Sequence, residues 1–425
     1  MTTYTKSDIA AIQRRTKWTL AGSAGLAGMG MAGGFAATAL SAKQITGSAG
    51  LATFAATMIS MGGAVSAVPL SRYMDRHGRR LGLRWGWRFA LFGAFCALLA
   101  VELNVFALLI VGTMGIGVGN GTNLAARYSA ADLADEDRRA RAIGTLVWFA
   151  ALGSVLGPTL ALGPTGWVAR QVGLDELSGP YMLGMVVFAI ASVTVGRRLH
   201  PDPLLLAREL GGSVKKKPPS LGQSFALLFR HRLAALAVLA MAIGQAVMVA
   251  TMTVTPLHMD DGNHEATVIG FVISFHIVGM YFLAPFVGWL VDRLPTTVMV
   301  ATAGIVLFVG AELAAHTDAV DVQGVFFGLF LIGFGWSFAM ISGSSLLTSA
   351  FPVHERASVQ GAADFTMVAS GSIGGLLSGV VVGIWSYHTL AHYSGLLALT
   401  LVAAALYPVV TRTSPKPEAS APTPA

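Results

Sequence analysis

Twelve long apolar stretches constrain this chain more than any other feature of its sequence. Each is long enough to cross the roughly 30 Å hydrocarbon core of a bilayer as a helix. In lipid the backbone must satisfy its own hydrogen bonds, which a helix does within one segment. The sequence therefore predicts an all-α integral membrane protein with twelve transmembrane helices. The predicted spans cover residues 18–41, 49–71, 82–102, 105–132, 141–164, 179–197, 232–257, 265–291, 296–316, 322–350, 357–384 and 388–411.

Composition supports membrane insertion and excludes several other classes of protein. Only 12% of the 425 residues are charged, whereas soluble domains carry about 25%. The chain has 50 glycines, as close packing of transmembrane helices favours. The single cysteine, Cys96, excludes an intrachain disulfide and multi-cysteine metal sites. The sequence has no recognisable nucleophile–base set or phosphate-binding loop, so we expect neither an enzyme nor a bound cofactor.

The basic residues predict the orientation of the chain. The loops at one end of the spans are rich in arginine and lysine, whereas the opposite loops hold only Lys43 and Arg170. The positive-inside rule then places both termini in the cytoplasm and the protein in a bacterial inner membrane. This distribution also accounts for the net charge of +7, so we expect the lipid bilayer and no nucleic acid as a partner. The residues assigned to the cytoplasm are Arg14, Arg15, Lys17, Arg72, Arg76, Arg79, Arg80, Arg84, Arg88, Arg138, Arg139, Arg141, Arg197, Arg198, Arg208, Lys215, Lys216, Lys217, Arg230 and Arg232.

A polar segment divides the spans six and six. We predict an N-terminal half over residues 1–197, a cytoplasmic linker over 198–231, a C-terminal half over 232–411 and a disordered tail over 412–425. The run Lys215–Pro219 is typical of a solvated linker, and the tail is rich in Pro, Ala and Ser. We expect the chain to be a monomer.

The two halves repeat one motif next to the basic loops. Span 2 ends in Asp75-Arg76-His77-Gly78-Arg79-Arg80, and span 8 ends in Gly288-Trp-Leu-Val-Asp292-Arg293. Gly333 in span 10 lies 216 residues after Gly117 in span 4. The arrangement resembles the major facilitator superfamily, whose signature between spans 2 and 3 matches the first run, with Ser71 where a glycine is usual. The resemblance covers about residues 18–411. It implies two pseudo-symmetric six-helix bundles, a substrate site near mid-membrane and alternating access by rocking.

The charged run that begins at Asp75 and ends at Arg80 is interpreted as gating structure. Asp75 can cap a helix end, and the three arginines can pair with acids of neighbouring loops. We therefore assign Asp75, Arg76, Arg79 and Arg80 to conformational change and not to substrate chemistry.

A second charged pair is predicted at the inner gate. Arg127 in span 4 and Asp364 in span 11 lie at similar depth. The superfamily resemblance implies that spans 4 and 11 face each other across the cytoplasmic half of the cavity. We hypothesise that Arg127 and Asp364 pair, and that the pair closes the inner gate or carries a coupled proton. The alternative is that each charge pairs within its own half.

Methionine and histidine in spans 7 and 8 suggest what is transported. Met248 and Met252 are four residues apart, as are His276 and Met280, so each pair shares one helix face. Thioether and imidazole groups are ligands that Cu(I) prefers. Met248 and His276 lie fourteen residues on either side of Gly262, the centre of the turn, which predicts similar depth. Packing is the alternative, because methionine is a common gap-filler and the chain has 17.

These paired motifs also resemble those of the CcoA-type copper importers, a group within the major facilitator superfamily. The resemblance implies that Met248, Met252, His276 and Met280 bind copper as the transported substrate. His258, at the outer end of span 7, is interpreted either as a first binding site for a cation from outside or as a solvated loop end.

Span 5 supports a competing function. Its Gly144, Gly153, Gly157 and Pro158 resemble the glycine motif of proton-coupled drug exporters. Small residues also serve helix packing in any such transporter. The alternative function is therefore a proton-coupled exporter of drugs or small metabolites, and the sequence leaves the direction of transport open. A membrane sensor or assembly factor is a third class, which no appended soluble domain supports.

Overall fold

The computed structural model describes residues 4–210, 220–264 and 266–410. The Lys215–Pro219 run and the predicted tail, 412–425, lie outside these residues. Within them the chain forms sixteen α-helices, joined by short turns. In order, the helices are α1 (Lys6–Thr46), α2 (Ala49–His77), α3 (Arg79–Leu103), α4 (Phe106–Ser129), α5 (Arg139–Leu162), α6 (Pro164–Gln171), α7 (Gly179–Arg198), α8 (Pro203–Leu210), α9 (Leu221–Arg230), α10 (Arg232–Asp261), α11 (Ala266–Tyr281), α12 (Ala284–Val291), α13 (Thr296–Ala315), α14 (Val322–Ala350), α15 (Val353–Ile384) and α16 (Tyr387–Val410).

Twelve spans in the described residues are long and apolar enough to cross a membrane, as predicted. Span 8 is the one that departs from a single helix. It is interrupted after Tyr281 and resumes as α12, which has Pro285 in its first turn. Proline lacks the backbone N–H that would continue the preceding helix, so the break lies just before Pro285.

Helix α1 extends well beyond its predicted span. It begins at Lys6, after a capping box in which the Thr5 and Asp8 side chains each accept a hydrogen bond from the other residue's backbone N–H. Its 41 residues correspond to about 60 Å of helix, roughly twice the thickness of the hydrocarbon core. The first turns of α1 therefore stand outside the hydrocarbon region.

Each half of the chain has its own buried core. In the first half, Trp87, Tyr181 and Phe188 are fully buried among small residues. In the second half, Trp336 and Met340 of α14 belong to a buried cluster with residues of α10 and α13. Small residues bring the helices close together: a Cβ on Gly93 of α3 would lie 2.6 Å from the Cα of Gly115 of α4.

The described parts of the linker are largely helical. Leu204 and Leu206 of α8 and Leu228 of α9 are buried, which anchors both helices against the bundle. Ser220 caps α9 through a capping box with Gln223. The linker therefore packs on the two halves over much of its length.

The even number of spans places both ends of the described chain on one side. We call that side, where α1 begins, α16 ends and the linker lies, the basic face, and the other side the opposite face. The halves pack together through α2 against α15 and through α5 against α12. These two contacts frame the candidate site.

Candidate functional site

A buried ion pair joins the two halves between α4 and α15. Arg127 Nη2 lies 2.5 Å from Asp364 Oδ1, and both side chains are at most 5% exposed. Tyr128 donates its hydroxyl to the same carboxylate oxygen at 3.1 Å. Arg127 Nε also donates to the Ser344 hydroxyl of α14 at 2.9 Å. The structure thus brings together the two charges expected to meet across the halves.

Arg79 forms a second connection between the halves. Its guanidinium pairs with Asp132, which follows α4, at 2.9 Å, and both side chains are buried. Its Nη2 also donates to Gln360 Oε1 of α15 at 2.7 Å. We call Arg79, Arg127, Asp132, Gln360 and Asp364 the buried cluster. Asp132 was not singled out in the sequence, because it lies in a loop with several other acids.

Asp75 is held by the linker. Arg208 of α8 donates to the Asp75 carboxylate and, at 2.6 Å, to the Asp75 carbonyl oxygen. The same guanidinium donates to the His354 carbonyl oxygen at the start of α15, at 3.3 Å. Ser358 of α15 donates to the other Asp75 carboxylate oxygen at 3.4 Å. A residue of the linker therefore ties α2 to α15.

Asp292, the counterpart of Asp75 in the second half, makes a different contact. Its carboxylate accepts the backbone N–H groups of Ala140 and Arg141 at 2.8 and 2.9 Å. These groups lie in the first turn of α5, so Asp292 caps a helix of the other half. Burial raises the pKa of the Asp292 carboxyl, and the two N–H donors and the Arg141 charge act in the opposite direction.

The remaining two motif arginines do not join the halves in this structure. The Arg80 backbone N–H donates to Asp202 at 2.7 Å, which connects α3 to the start of the linker. Arg80 Nη1 lies 3.3 Å from His200 Nδ1. Arg76 is exposed on the basic face.

The hydrogen bonds described above between the halves all lie toward the basic face. They lie beside α2–α15 and α5–α12, the two most extensive contacts between the halves. A solute could not pass this side without separating buried charges. The protein is therefore closed at the basic face.

His276 lies in the core of the second half and is 1% exposed. Its Nδ1 lies 2.6 Å from the Leu329 carbonyl oxygen of α14. A carbonyl only accepts, so Nδ1 is the donor and Nε2 carries the lone pair of the neutral ring. Among the residues that the structure describes, Nε2 has no hydrogen-bond partner. The lone pair of His276 Nε2 is therefore buried and accepts no hydrogen bond from the described residues.

The methionines of the predicted site belong to, or pack against, buried clusters that include residues of α14. Met248 and Met280 are 8% and 7% exposed and belong to one buried cluster with Trp336. Met252 packs against the neighbouring cluster that includes Leu329, the residue bonded to His276. His276 and Met280 thus contact α14 directly, and Met248 and Met252 share buried clusters with residues of α14.

Spans 7 and 8 have little contact with each other. Helix α10 packs mainly on α15 and α14, and α11 packs mainly on α14. The backbone at Gly333 of α14 allows this: an added Cβ would lie 3.0 Å from the Met280 nitrogen. Connection by a short turn sets the depth of two helices but not which neighbour each one packs on.

His258 is buried near the end of α10 at the opposite face. It is 8% exposed and stacks on Tyr387 of α16, with ring centroids 4.0 Å apart. His388 meets it edge-on at 5.2 Å. The interpretation of His258 as a solvated loop end was therefore wrong. Its role as a first binding site for a cation stays a prediction.

A polar and aromatic group near mid-span was missed. Trp336 Nε1 donates to Gln245 Oε1 at 2.7 Å, joining α14 to α10. The Tyr281 ring meets Trp336 edge-on at 5.6 Å. Gln245 lies three residues before Met248 in span 7, but no feature of the sequence indicated its partner.

The span-5 glycines serve packing. Gly153 and Gly157 lie against the α1 backbone near Gly25 and Met29, and Gly144 lies against Ala284 of α12. A side chain at any of them would separate these helices. Their positions favour neither direction of transport.

The described residues contain no group of three or more His, Cys, Asp or Glu side chains that could hold a metal ion. Oxygen-rich sites for hard cations are therefore not found in this part of the chain. A metal at the centre of the second half would need thioether ligands beside His276.

Comparison with known proteins identifies relatives along most of the chain. The family model for the Major Facilitator Superfamily matches residues 20–374 and 238–425. An uncharacterised transporter of this type from Bacillus subtilis, YdeG, is 34% identical over 92% of this chain and 91% of its own length. The riboflavin transporter RfnT of Brucella anthropi is 23% identical over 88% of this chain and 89% of its own. The crystal structure of a bacterial homologue of the iron transporter ferroportin, in an outward-facing state, has a TM-score of 0.70 at 15% identity, covering 92% of this chain and 98% of that one. The last similarity concerns the fold alone.

Proposed function

This chain belongs to the Major Facilitator Superfamily and is a membrane transporter, and we propose that it is a secondary transporter working by alternating access. The buried cluster, the Arg208–Asp75 contact and the Asp292 cap form the barrier at the basic face. Opening toward that face requires the Arg127–Asp364 pair to separate. Protonation of Asp364 would remove its attraction for Arg127, which makes the proton the candidate coupling ion.

The first candidate substrate is copper, moved inward. The observation that carries it is the buried His276 Nε2, which has no hydrogen-bond partner in the described residues. A ligating histidine commonly donates its other ring N–H to a carbonyl, as His276 does to Leu329. Met248, Met252 and Met280 supply soft thioether groups nearby, and uncharged ligands of this kind favour release as well as binding. Here copper is the transported substrate and not a resident cofactor.

The second candidate is an aromatic organic solute, carried in exchange for protons. The Gln245–Trp336–Tyr281 group offers an amide and two rings near mid-span. Buried methionine provides an adaptable apolar surface for such a solute. The relative named as a riboflavin transporter supports this class of substrate.

One experiment separates the candidates. Copper accumulation and resistance to a lipophilic cation are measured in cells expressing the wild type, His276→Ala with Met280→Ala, or Met299→Ala. Met299 is a buried methionine of α13 outside the candidate site, so it controls for the loss of a core thioether. We expect the double variant to lose copper uptake and the control to retain it at equal membrane abundance. Unchanged copper uptake with reduced cation resistance would reject copper and favour the second candidate.

A further inference from the structure

An open cavity on the basic face lies apart from the transport pathway. Its volume is about 850 Å³, and it lies between the first turns of α1 and the segment 133–142. Alanines form much of its wall: Ala10, Ala11, Ala134 and Ala142. These short side chains leave the space that longer residues would fill. We call this cavity the basic pocket.

The lining of the basic pocket is strongly cationic. It contains the five cations Lys6, Arg14, Lys17, Arg138 and Arg141, and one acid, Asp135. In the described residues no acidic side chain lies within ion-pair distance of the three α1 cations. Such a concentration of unpaired positive charge favours an anionic ligand.

The two α5-side arginines are only weakly compensated. Arg138 lies 3.7 Å from Asp137, and both side chains are more than 60% exposed, where an ion pair contributes little. Arg141 Nε is buried and has no hydrogen-bond partner among the described residues. Asp292 accepts the Arg141 backbone N–H, and its carboxyl also interacts with the Arg141 charge. Arg141 thus lines the pocket and has one side-chain donor without a hydrogen-bond partner in the described residues.

The position of the pocket points to the membrane surface. Trp18, the residue after Lys17, is 51% exposed, and the Lys17 ammonium lies 5.0 Å from its ring centre. Tryptophan beside lysine is typical of the headgroup layer of a bilayer. Because α1 is far longer than the hydrocarbon core requires, its first turns reach that layer.

We propose that the basic pocket binds the phosphate of an anionic phospholipid headgroup. Arg14, Lys17 and Arg138 surround the phosphate from two elements, and Arg141 donates from below. The bound lipid would fix the first turns of α1 against the loop before α5. The proposal is independent of the substrate, because none of these side chains belongs to the buried cluster.

Lipid retention on the purified protein tests this proposal. Native mass spectrometry and thermal unfolding are measured with phosphatidylglycerol, phosphatidylcholine or inorganic phosphate. The test variant is Arg14→Gln, Lys17→Gln, Arg138→Gln. The control is Arg197→Gln, Arg198→Gln, Arg230→Gln, which removes three exposed arginines of the basic face outside the pocket. Single variants at Arg14 and Lys17 replace the triple variant if it does not fold.

We expect phosphatidylglycerol, and not phosphatidylcholine, to bind and stabilise the wild type. The test variant should bind it about a hundredfold more weakly at low salt, because three cations that line the pocket are removed. The control should bind it as the wild type does. Equal loss in both variants, or no loss in the test variant, would overturn the proposal. Stabilisation by inorganic phosphate without any by phosphatidylglycerol would overturn the lipid as the ligand and identify a soluble phosphate compound.

Discussion

Arg127 and Asp364 are 237 residues apart in the chain and 2.5 Å apart in space. One belongs to the first half of the transporter and the other to the second. Their side chains are almost fully buried, and Tyr128 and Ser344 add hydrogen bonds to the pair. A rocking motion of the halves cannot open the basic face without separating these two charges.

Reversing one charge of this pair should prevent closure of the basic face. Arg127→Asp places two carboxylates together, and Asp364→Arg places two guanidinium groups together. Leaving a buried charge uncompensated costs about 3–5 kcal/mol, more than a hundredfold in a conformational equilibrium. Transport by either single variant should therefore fall below detection, and the double reversal should recover part of it. A double variant as inactive as the singles would argue against direct pairing.

Removal of Arg208 should weaken the closed state through the linker. Arg208→Gln leaves the Asp75 carboxylate, which is 1% exposed, without its cation. Hydrogen bonds to charged groups contribute about 1.5–3 kcal/mol, so access to the basic face should rise about tenfold or more in a cysteine-labelling assay. Adding Asp75→Asn should reduce this effect, because the uncompensated charge is then absent. Arg230→Gln, an exposed arginine of the same linker, is the control and should behave as the wild type. Additive effects of Arg208→Gln and Asp75→Asn would contradict the contact.

Ser71 and Gly361 should compensate for each other. A Cβ on Gly361 of α15 would overlap the Ser71 side chain of α2 and lie 3.0 Å from the Ala67 carbonyl oxygen. Gly361→Ala should therefore hold the two helices apart, at a cost of about 1–3 kcal/mol. Transport should fall severalfold and recover in part when Ser71→Gly is added. Gly379→Ala on the same helix has open space around it and should have no effect. No difference between the two alanine variants would show that α2 and α15 do not need this close approach.

Loss of the Asp292 cap should affect gating as well as stability. Asp292→Ala removes the acceptor for two N–H groups of α5, at a cost of about 1–2 kcal/mol. Asp321→Ala removes a comparable cap from α14, where the carboxylate accepts the Gln323 and Gly324 N–H groups within the same half. Both variants should unfold at lower temperature, and only Asp292→Ala should increase labelling from the basic face. Equal labelling in the two variants would show that Asp292 stabilises α5 but does not affect the opening of the basic face.

The sequence was sufficient for the fold because lipid leaves the backbone few choices. Stretches of about 20 apolar residues must be helices in lipid, and the basic loops predict the direction in which each helix crosses the membrane. Arg127 and Asp364 could be paired because a charge inside an apolar span stands out and needs a partner. Asp75 and Asp292 were visible as repeated motifs, although their different contacts were not.

The orientations of individual helices were much less predictable. Helical spacing identified the face that carries Met248 and Met252, but not that α10 would turn this face toward α14. Asp132 and Arg208 escaped notice because charged residues are common in loops, where most are solvated. The Trp336–Gln245 contact depends on rotamers and on the relative depth of two helices, which residue spacing does not define.

The distance between the two halves at the basic face shows whether the Arg127–Asp364 pair holds this side closed. Spin labels are placed at Arg197 and Leu294, exposed residues of the first and second half at this face, in a Cys96→Ser background. Double electron–electron resonance is then recorded for this protein and for its Asp364→Asn variant in lipid nanodiscs. We expect one short distance for the parent and a second, longer population in the variant, because the neutral amide no longer holds Arg127. Identical distance distributions would contradict the assignment of the Arg127–Asp364 pair as the inner gate.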